Sequence, residues 1–493
     1  MHLADDIAGR KGRREAIAAP RGYAKSTIKS LLLPIHSLVY ETERYIVIIS
    51  ATLKQAKQRL KNIKEELLTN QRLIDYYDLP IPKNPSRSWT QRQISLGEIQ
   101  VEVYSAGTEM RGISHGPWRP TRIILDDAED STRVENSEGR DKLMEWFNEV
   151  VEHLGDTYTV IDIIGTLLHP ESLLATLLRR PDFKGRVYRS VIDFADNGDL
   201  WEKWRRLYTN LSDTERSQTA EDFFRKNRNA MLKGSRVLWS AREDYYNLMI
   251  QMVTQGRAAF FQEKQNEPRA AEHRIFSRER LRFFSMEGDR IFVERPGADS
   301  KIVFLKDLCI CGFLDAAMGK SRRGSEGDFA AIVTVGRDDD GYIYVLDAWL
   351  RRIAPTGQIN RIFENHERFC YARFGIEANC FQSLMMLPLE EERRKRRDRG
   401  EAWDVPVTEV VSRRKKEARI MSLEPLASNG WLLFNRSLPE EFYRQLEDVP
   451  RGKHDDGPDA LAAAVELVNG FNKITPSQKS PGTRKSKSPL RYF

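Results

Sequence analysis

The run Ile123-Ile124-Leu125-Asp126-Asp127 narrows the folds open to this chain more than any other stretch. Apolar residues that pass without alternation into carboxylates describe a strand buried on both faces, the kind found in parallel sheets covered by helices. Its acids then emerge at the C-terminal edge, where open α/β sheets bind ligands. Tyr45–Ile49 is a second such run, ending at Ser50-Ala51-Thr52 and followed by an amphipathic pattern from Leu53 to Leu68. Val101–Tyr104 and Tyr158–Ile164 add two more strands, the latter ending at Gly165-Thr166.

Upstream, Pro20-Arg21-Gly22-Tyr23-Ala24-Lys25-Ser26-Thr27 joins a strand end, Glu15–Ala18, to helical spacing from Ile28 to Tyr40. A turn that feeds a helix start gathers unpaired N–H groups at the positive end of the helix dipole, an arrangement suited to a polyphosphate. Lys25 adds charge and the Ser26 hydroxyl can hold Mg²⁺. Ala24 and Ala19 stand where the glycines of the usual G-x-x-x-x-G-K-[ST] loop would be, and Gly22 keeps some freedom inside the loop. Asp126 fits a Mg²⁺-holding acid, and the next acid would orient a water against the γ-phosphate of ATP. That acid is either Asp127, which stands where a glutamate is usual, or Glu129. Thr166, at the edge of the Tyr158–Ile164 strand, is either a simple turn threonine or a hydroxyl that senses the γ-phosphate. The loop Ser105–Gly112 carries Arg111 between glycines.

From Leu200 to about Ser300 the chain turns helical, charged and aromatic, with Trp201, Trp204, Tyr245 and Phe260 read as packing residues of a linker or lid. Strands follow at Asp307–Asp315, Ala330–Val335 and Tyr342–Leu346, then a helix over Gln358–Phe374 and a short strand, Phe374–Glu377. The acids Asp338–Asp340 mark a turn. A late helix, Ala460–Val468, is preceded by His454-Asp455-Asp456-Gly457-Pro458-Asp459. A meander, a helix, a strand and a late helix, with acid at Asp315, Glu377 and the Asp455/Asp456/Asp459 cluster, is the plan of the ribonuclease H-like fold. Such carboxylates hold two Mg²⁺ or Mn²⁺ ions for phosphodiester cleavage. Asp455 and Asp459 are four apart, and Asp456 and Asp459 three apart, so either pair can share a helix face. Glu390–Arg399 reads as a solvated helix face, and Arg413-Arg414-Lys415-Lys416 as a phosphate contact.

The expected fold class is therefore α/β: a P-loop (RecA/ASCE-like) ATPase domain over 1–199, a helical linker or lid over 200–300, a ribonuclease H-like nuclease over 301–471 and a flexible tail over 472–493. The tail has six basic residues and no acids, which leaves the rest of a chain of net charge +7 nearly neutral. It is a basic arm for an acidic partner or nucleic acid. Cys309, Cys311, Cys370 and Cys380 lack zinc-ligand spacing and read as reduced thiols. The first residues lack a signal-peptide core, and no apolar run approaches the ~20 residues of a membrane span, so neither export nor membrane insertion is expected.

The quoted motifs, Ala19–Thr27, Ile124–Asp127, Gly375-Ile376-Glu377-Ala378-Asn379 and His454–Leu461, together resemble the large terminase subunit of tailed bacteriophages over nearly the whole chain. The resemblance implies a protein of the host cytoplasm that cuts concatemeric viral DNA, forms a ring on the procapsid portal beside a small terminase subunit, and pumps double-stranded DNA inward using ATP. It implies that Arg21 touches phosphate, that Gly165-Thr166 is the coupling motif, that Arg111 is an arginine finger for a neighbouring subunit, and that the tail docks on the portal. Only 18 residues precede Ala19, where the family usually has several tens with an adenine-contacting segment. Base recognition is then expected to be minimal, or the chain to start late. The rival readings are a metal-dependent nuclease with a degenerate ATPase half, and a non-catalytic DNA-binding assembly factor.

Overall fold

The structure, a computed structural model, describes residues 11–85, 89–130, 133–134, 136–268, 276–295, 298–316, 330–378, 381–401, 404–411, 414–449, 452 and 454–470. The basic tail, the 319–328 segment, Asn379, Cys380 and Arg413 lie outside these residues. The chain divides into two compact units, 1–208 with 217–273, and 209–216 with 274–493.

The first unit is built on seven strands: β1 (Arg14–Ala18), β2 (Tyr45–Ser50), β3 (Gln93–Leu96), β4 (Ile99–Ser105), β5 (Arg122–Asp126), β6 (Val160–Gly165) and β7 (Lys184–Val187). Their order is β3-β4-β2-β5-β6-β1-β7, parallel except for the β3–β4 pair. Every residue of β2, β5 and β6 is buried, which is why these strands read as unbroken apolar runs. Strand β6 lies between β1 and β5, and all three run the same way. The loop after β1 and the acids after β5 therefore leave the same sheet edge.

The helix after the loop begins as a widened π-type stretch, Thr27–Leu32, and continues as Leu33–Val39. Lys29 pins it: its Nζ lies 2.7 Å from Glu15 on β1 and 2.8 Å from fully buried Asp162 on β6. Helix Leu53–Thr69 starts with a reciprocal Thr52–Gln55 capping box and buries Ala56, Leu60, Ile63 and Leu67. Each large apolar side chain of that face contributes about 1.5–3 kcal/mol.

A small sheet of β8 (Val191–Asp193) and β9 (Arg236–Val237) belongs to a second core in this unit. That core gathers Trp204, Phe224, Tyr245, Leu248 and Phe260, so the aromatics of this region pack. The region expected as one segment over 200–300 is divided. Its helical part joins the first unit, and residues from Arg282 onward enter the second sheet.

The second unit holds β10 (Arg282–Glu287), β11 (Arg290–Arg295), β12 (Ala298–Phe304), β13 (Cys309–Asp315), β14 (Ala330–Arg337), β15 (Ile343–Arg351), β16 (Arg373–Glu377), β17 (Val407–Val410) and β18 (Leu432–Asn435). They form one sheet in the order β12-β11-β10-β18-β15-β14-β13-β16-β17. Strands β13, β14 and β15 make the antiparallel meander, and β16 then β17 add in parallel beside β13. The order third-second-first-fourth-fifth is that of a ribonuclease H-like core, here extended by β18 and an antiparallel β10–β12 ribbon. Helix Asp456–Asn469 buries its Ala and Leu face against this sheet. Asp338 accepts hydrogen bonds from the Gly341 and Tyr342 N–H groups, so the acids between β14 and β15 do make a turn.

Glu390–Arg399 is mostly exposed, as read, but two of its charges turn inward. Glu392 and Arg396 are buried and bond each other at 2.8 Å, and Arg396 also reaches Glu367 and Glu401. The charges of this helix partly neutralise one another inside the fold, a pattern that mean polarity does not reveal. Among the described residues, no helix is long and apolar enough to cross a membrane.

Candidate functional site

In the first unit, the Ala19 N–H donates to the Gly165 carbonyl (3.0 Å), which seats the loop beside the exit of β6. Gly22 (φ +85°) and Ala24 (φ +56°) both take left-handed backbone. A Cβ costs about 1–2 kcal/mol in that region, so Ala24 is strained where a glycine would rest. Ala24→Gly is expected to raise stability by about 0.5–1 kcal/mol, relieved strain exceeding the added freedom of the unfolded chain. The urea midpoint measures this, and a fall would mean that the Ala24 methyl group packs favourably.

Lys25 Nζ lies 3.2 Å from Thr166 Oγ1 and 3.5 Å from Asp127 Oδ2, and Thr166 donates to the Ala19 carbonyl (3.3 Å). Ser26 Oγ donates to Asp126 Oδ1 at 2.7 Å. Lys25, Ser26, Asp126, Asp127 and Thr166, from three separate strand ends, thus form one connected cluster. Thr27 begins the helix behind it. Arg21 is mostly exposed and pairs with Glu263 (3.2 Å), and its backbone N–H donates to the Glu263 carbonyl. Arg111, also exposed, pairs with Glu109 and Glu149, both on the surface.

The two candidate water-activating acids separate clearly. Both Glu129 oxygens accept backbone N–H groups, from Leu173 (2.7 Å) and Leu174 (3.0 Å), at the start of helix Leu173–Leu177. In this structure the Glu129 carboxylate is engaged in capping a helix. Asp127 instead faces Lys25. Burial pushes its pKa up, Lys25 opposes that, and Asp126 adds repulsion. Burial raises the Glu129 carboxyl as well, against its two backbone N–H donors, so the two acids differ in their partners and not in the direction of their shifts. Asp127→Asn is expected to lower ATP hydrolysis by about 10²–10⁴-fold. Glu129→Ala should leave hydrolysis within about tenfold and lose about 1–3 kcal/mol of stability. Paired hydrolysis and melting measurements check both, and the reverse pattern would return the role to Glu129.

Sequence reasoning missed Arg59. Its Nε lies 2.7 Å from Asp126 Oδ2 and its Nη2 donates to Ser26 Oγ (3.2 Å). The signal was present: position 59 is three after buried Ala56 and four before buried Ile63, so a charge stands at core spacing. Asp126 is fully buried, and the oxygens of Ser26 and Asp126 are the hard donors Mg²⁺ prefers. The residues fit that ion.

In the second unit, Asp315 closes β13 and Glu377 closes the adjacent parallel β16. The strands fit by exchange of rings and glycines. Phe374 lies against Gly312 and Phe313 against Gly375, where added Cβ atoms would fall 2.6 and 2.7 Å from the rings. Asp456 and Asp459 project from the first turn of the late helix, with Asp455 at its cap position.

Lys416 sits among these acids. Its Nζ is 2.8 Å from Asp455, 3.7 Å from Asp459, 3.8 Å from Asp315 and 4.0 Å from Asp456. Burial pulls its pKa down, but the surrounding carboxylates hold it above the ordinary lysine value. Arg419, one turn on, is buried and bonds Asp459 through Nε (2.8 Å) and Nη2. Lys416, read from sequence as a phosphate contact, here neutralises acids. Burial raises the Asp315 pKa to about 7, Lys416 opposes this, and Asp459, Asp456 and Glu377 add repulsion. Among the described residues, no three His, Cys, Asp or Glu side chains stand as a ready metal cage. The Lys416 ammonium holds the centre they share. The donor set, all carboxylate oxygen and mutually repelling, is nonetheless the kind that takes Mg²⁺ or Mn²⁺.

Fold and sites together define a two-unit α/β chain, a P-loop-type domain followed by a ribonuclease H-like domain. Solved structures to which it is similar are large terminases. That of the thermophilic bacteriophage D6E in complex with ADP is 8% identical over 94% of each chain, at TM-score 0.42. That of bacteriophage HK97 is 14% identical over 94% of this chain and 93% of that one, at TM-score 0.29. The large terminase nuclease from thermophilic phage G20c is 16% identical over 38% of this chain and 92% of its own, at TM-score 0.24. No family model matches the chain, and no curated protein matches it.

Proposed function

We propose that the chain is a viral DNA-packaging motor and endonuclease, which hydrolyses ATP to move double-stranded DNA into a procapsid and cuts concatemeric DNA. The observation that carries this reading is the pair of charged clusters in one chain, each at the C-terminal edge of its own sheet.

In the first cluster, the loop N–H groups and Lys25 would bind the β- and γ-phosphates, and Ser26 and Asp126 would hold Mg²⁺. Asp127 would accept a proton from the attacking water, and Thr166, already bonded to Lys25, would register loss of the γ-phosphate at the end of β6. In the second, Asp315, Glu377 and Asp456 would hold the metal ions, with Asp455 at the rim. Asp459, fixed by Arg419, would position them. When bound, the ions would supply neutralisation of phosphate charge and activation of water. Lys416 would have to leave the centre as they enter.

Portal protein, small terminase subunit and self-association into a ring are the partners this reading requires, with Arg111 offered to a neighbouring subunit and the basic tail to the portal. The test is DNA-stimulated ATP hydrolysis together with Mn²⁺-dependent nicking of plasmid by the same chain. Nicking without ATP hydrolysis, even beside portal and small subunit, would favour a nuclease whose first domain is only structural.

A further inference from the structure

Helix Leu53–Thr69 carries Arg59 into the Ser26–Asp126 cluster and a row of cations elsewhere on its surface. Lys54, Lys57, Lys61 and Lys64 fall within about 80° of arc at 3.6 residues per turn. With Gln58 and Gln91 they line a groove of about 530 Å³, and among the described residues no acidic side chain lines it. Lys57 is held by Gln91 (2.8 Å) and Lys64 by the Thr90 carbonyl, so two of the four cations are fixed in place. The nearest neutralising partner is exposed Glu65, 3.3 Å from Lys61.

A solvated helix face usually alternates charge; here no acid stands between Lys54 and Lys64, and Glu65 follows only at the end of the row. From Lys54 to Lys64 the helix rises about 15 Å. One strand of duplex DNA places a phosphate every ~3.4 Å along its axis, so the row spans about four phosphates. Lysines on one rigid helix, with glutamine amides between them, suit a backbone rather than base edges.

We propose that this groove grips the phosphate backbone of double-stranded DNA. The inference rests on DNA being the partner, as in the proposed function, and adds the surface of the first unit that holds it. Because the same helix carries Arg59, a load on the lysines bears directly on the residue that pairs with Asp126.

The test is the salt dependence of binding of the full chain to a labelled 30-base-pair duplex, by fluorescence anisotropy without divalent ions. Lys54→Gln/Lys61→Gln removes two exposed cations, neither buried in the core. It is expected to reduce the slope of log K against log salt by about 2, and affinity near 0.1 M salt by about tenfold or more. Lys395→Gln/Arg397→Gln, which removes the same charge from an exposed helix face of the second unit, should change the slope by less than half as much. An unchanged slope in the groove variant, or an equal fall in the control, overturns the proposal. A wild-type chain that binds no duplex overturns the DNA reading and the groove together. A normal wild-type slope that the groove variant keeps overturns the groove alone.

Discussion

Lys25→Ala is expected to lower DNA-stimulated ATP hydrolysis by at least about a hundredfold while Mn²⁺-dependent plasmid nicking continues. Lys25 is the only loop cation that reaches both strand-end partners, Thr166 at 3.2 Å and Asp127 at 3.5 Å. Removing it takes a positive charge from the place where phosphate charge would build, and a single preorganised donor of that kind is worth about 10²–10³ in rate. It also leaves Asp127 beside Asp126 with one compensating cation fewer, so its carboxyl should titrate still higher. Hydrolysis assays in the presence and absence of DNA, with nicking measured on the same preparation, check the expectation. Retained hydrolysis would remove Lys25 from the phosphate site, and simultaneous loss of nicking would point to a general folding defect.

Asp315→Ala is expected to abolish cleavage, by about a thousandfold or more, with duplex binding retained. Asp315 is a strand-end acid on which four other charges of the cluster act: Lys416, Asp459, Asp456 and Glu377 all contribute to its pKa. Cleavage that persists in this variant would discredit the site. A second readout does not depend on activity. An unfolded aspartate titrates near 3.8, and the folded value is about 7, so the folded chain binds the proton more tightly. The associated stability is fully present below about pH 4 and lost as pH rises through about 7. Asp315→Asn should therefore stabilise the metal-free protein by about 1–3 kcal/mol at pH 8, and by less at pH 5.5. Equal melting shifts at the two pH values would mean that the carboxyl is not held in a repulsive, desolvated setting.

Several features were legible in the residues because they follow from local rules. Unbroken apolar runs over Tyr45–Ile49 and Ile123–Leu125 became fully buried central strands, since burial on both faces forbids alternation. The turn at Asp338–Asp340, the aromatic packing around Trp204 and the meander that ends β13 on Asp315 were readable for similar reasons. The element ends were less so. The late helix begins at Asp456 rather than Ala460, which places Asp456 and Asp459 in its first turn. The ribbon from Arg282 to Phe304 joins the second sheet through the β10–β18 pair, a contact across about 150 residues that no local pattern carries.

By itself, the sequence determined which side chains could do chemistry and which strand ends would present them, because strand burial and helix starts are set within a few residues. The tertiary structure decided which of those side chains are available and what stands between them. Glu129 is drawn onto the Leu173 and Leu174 N–H groups, Arg59 onto Asp126, Arg419 onto Asp459, and Lys416 into the middle of four aspartates. Each pairing joins residues 39 to 101 positions apart. Electrostatic attraction acts over ångströms of space, not over sequence separation, so only the folded chain could assign these partners.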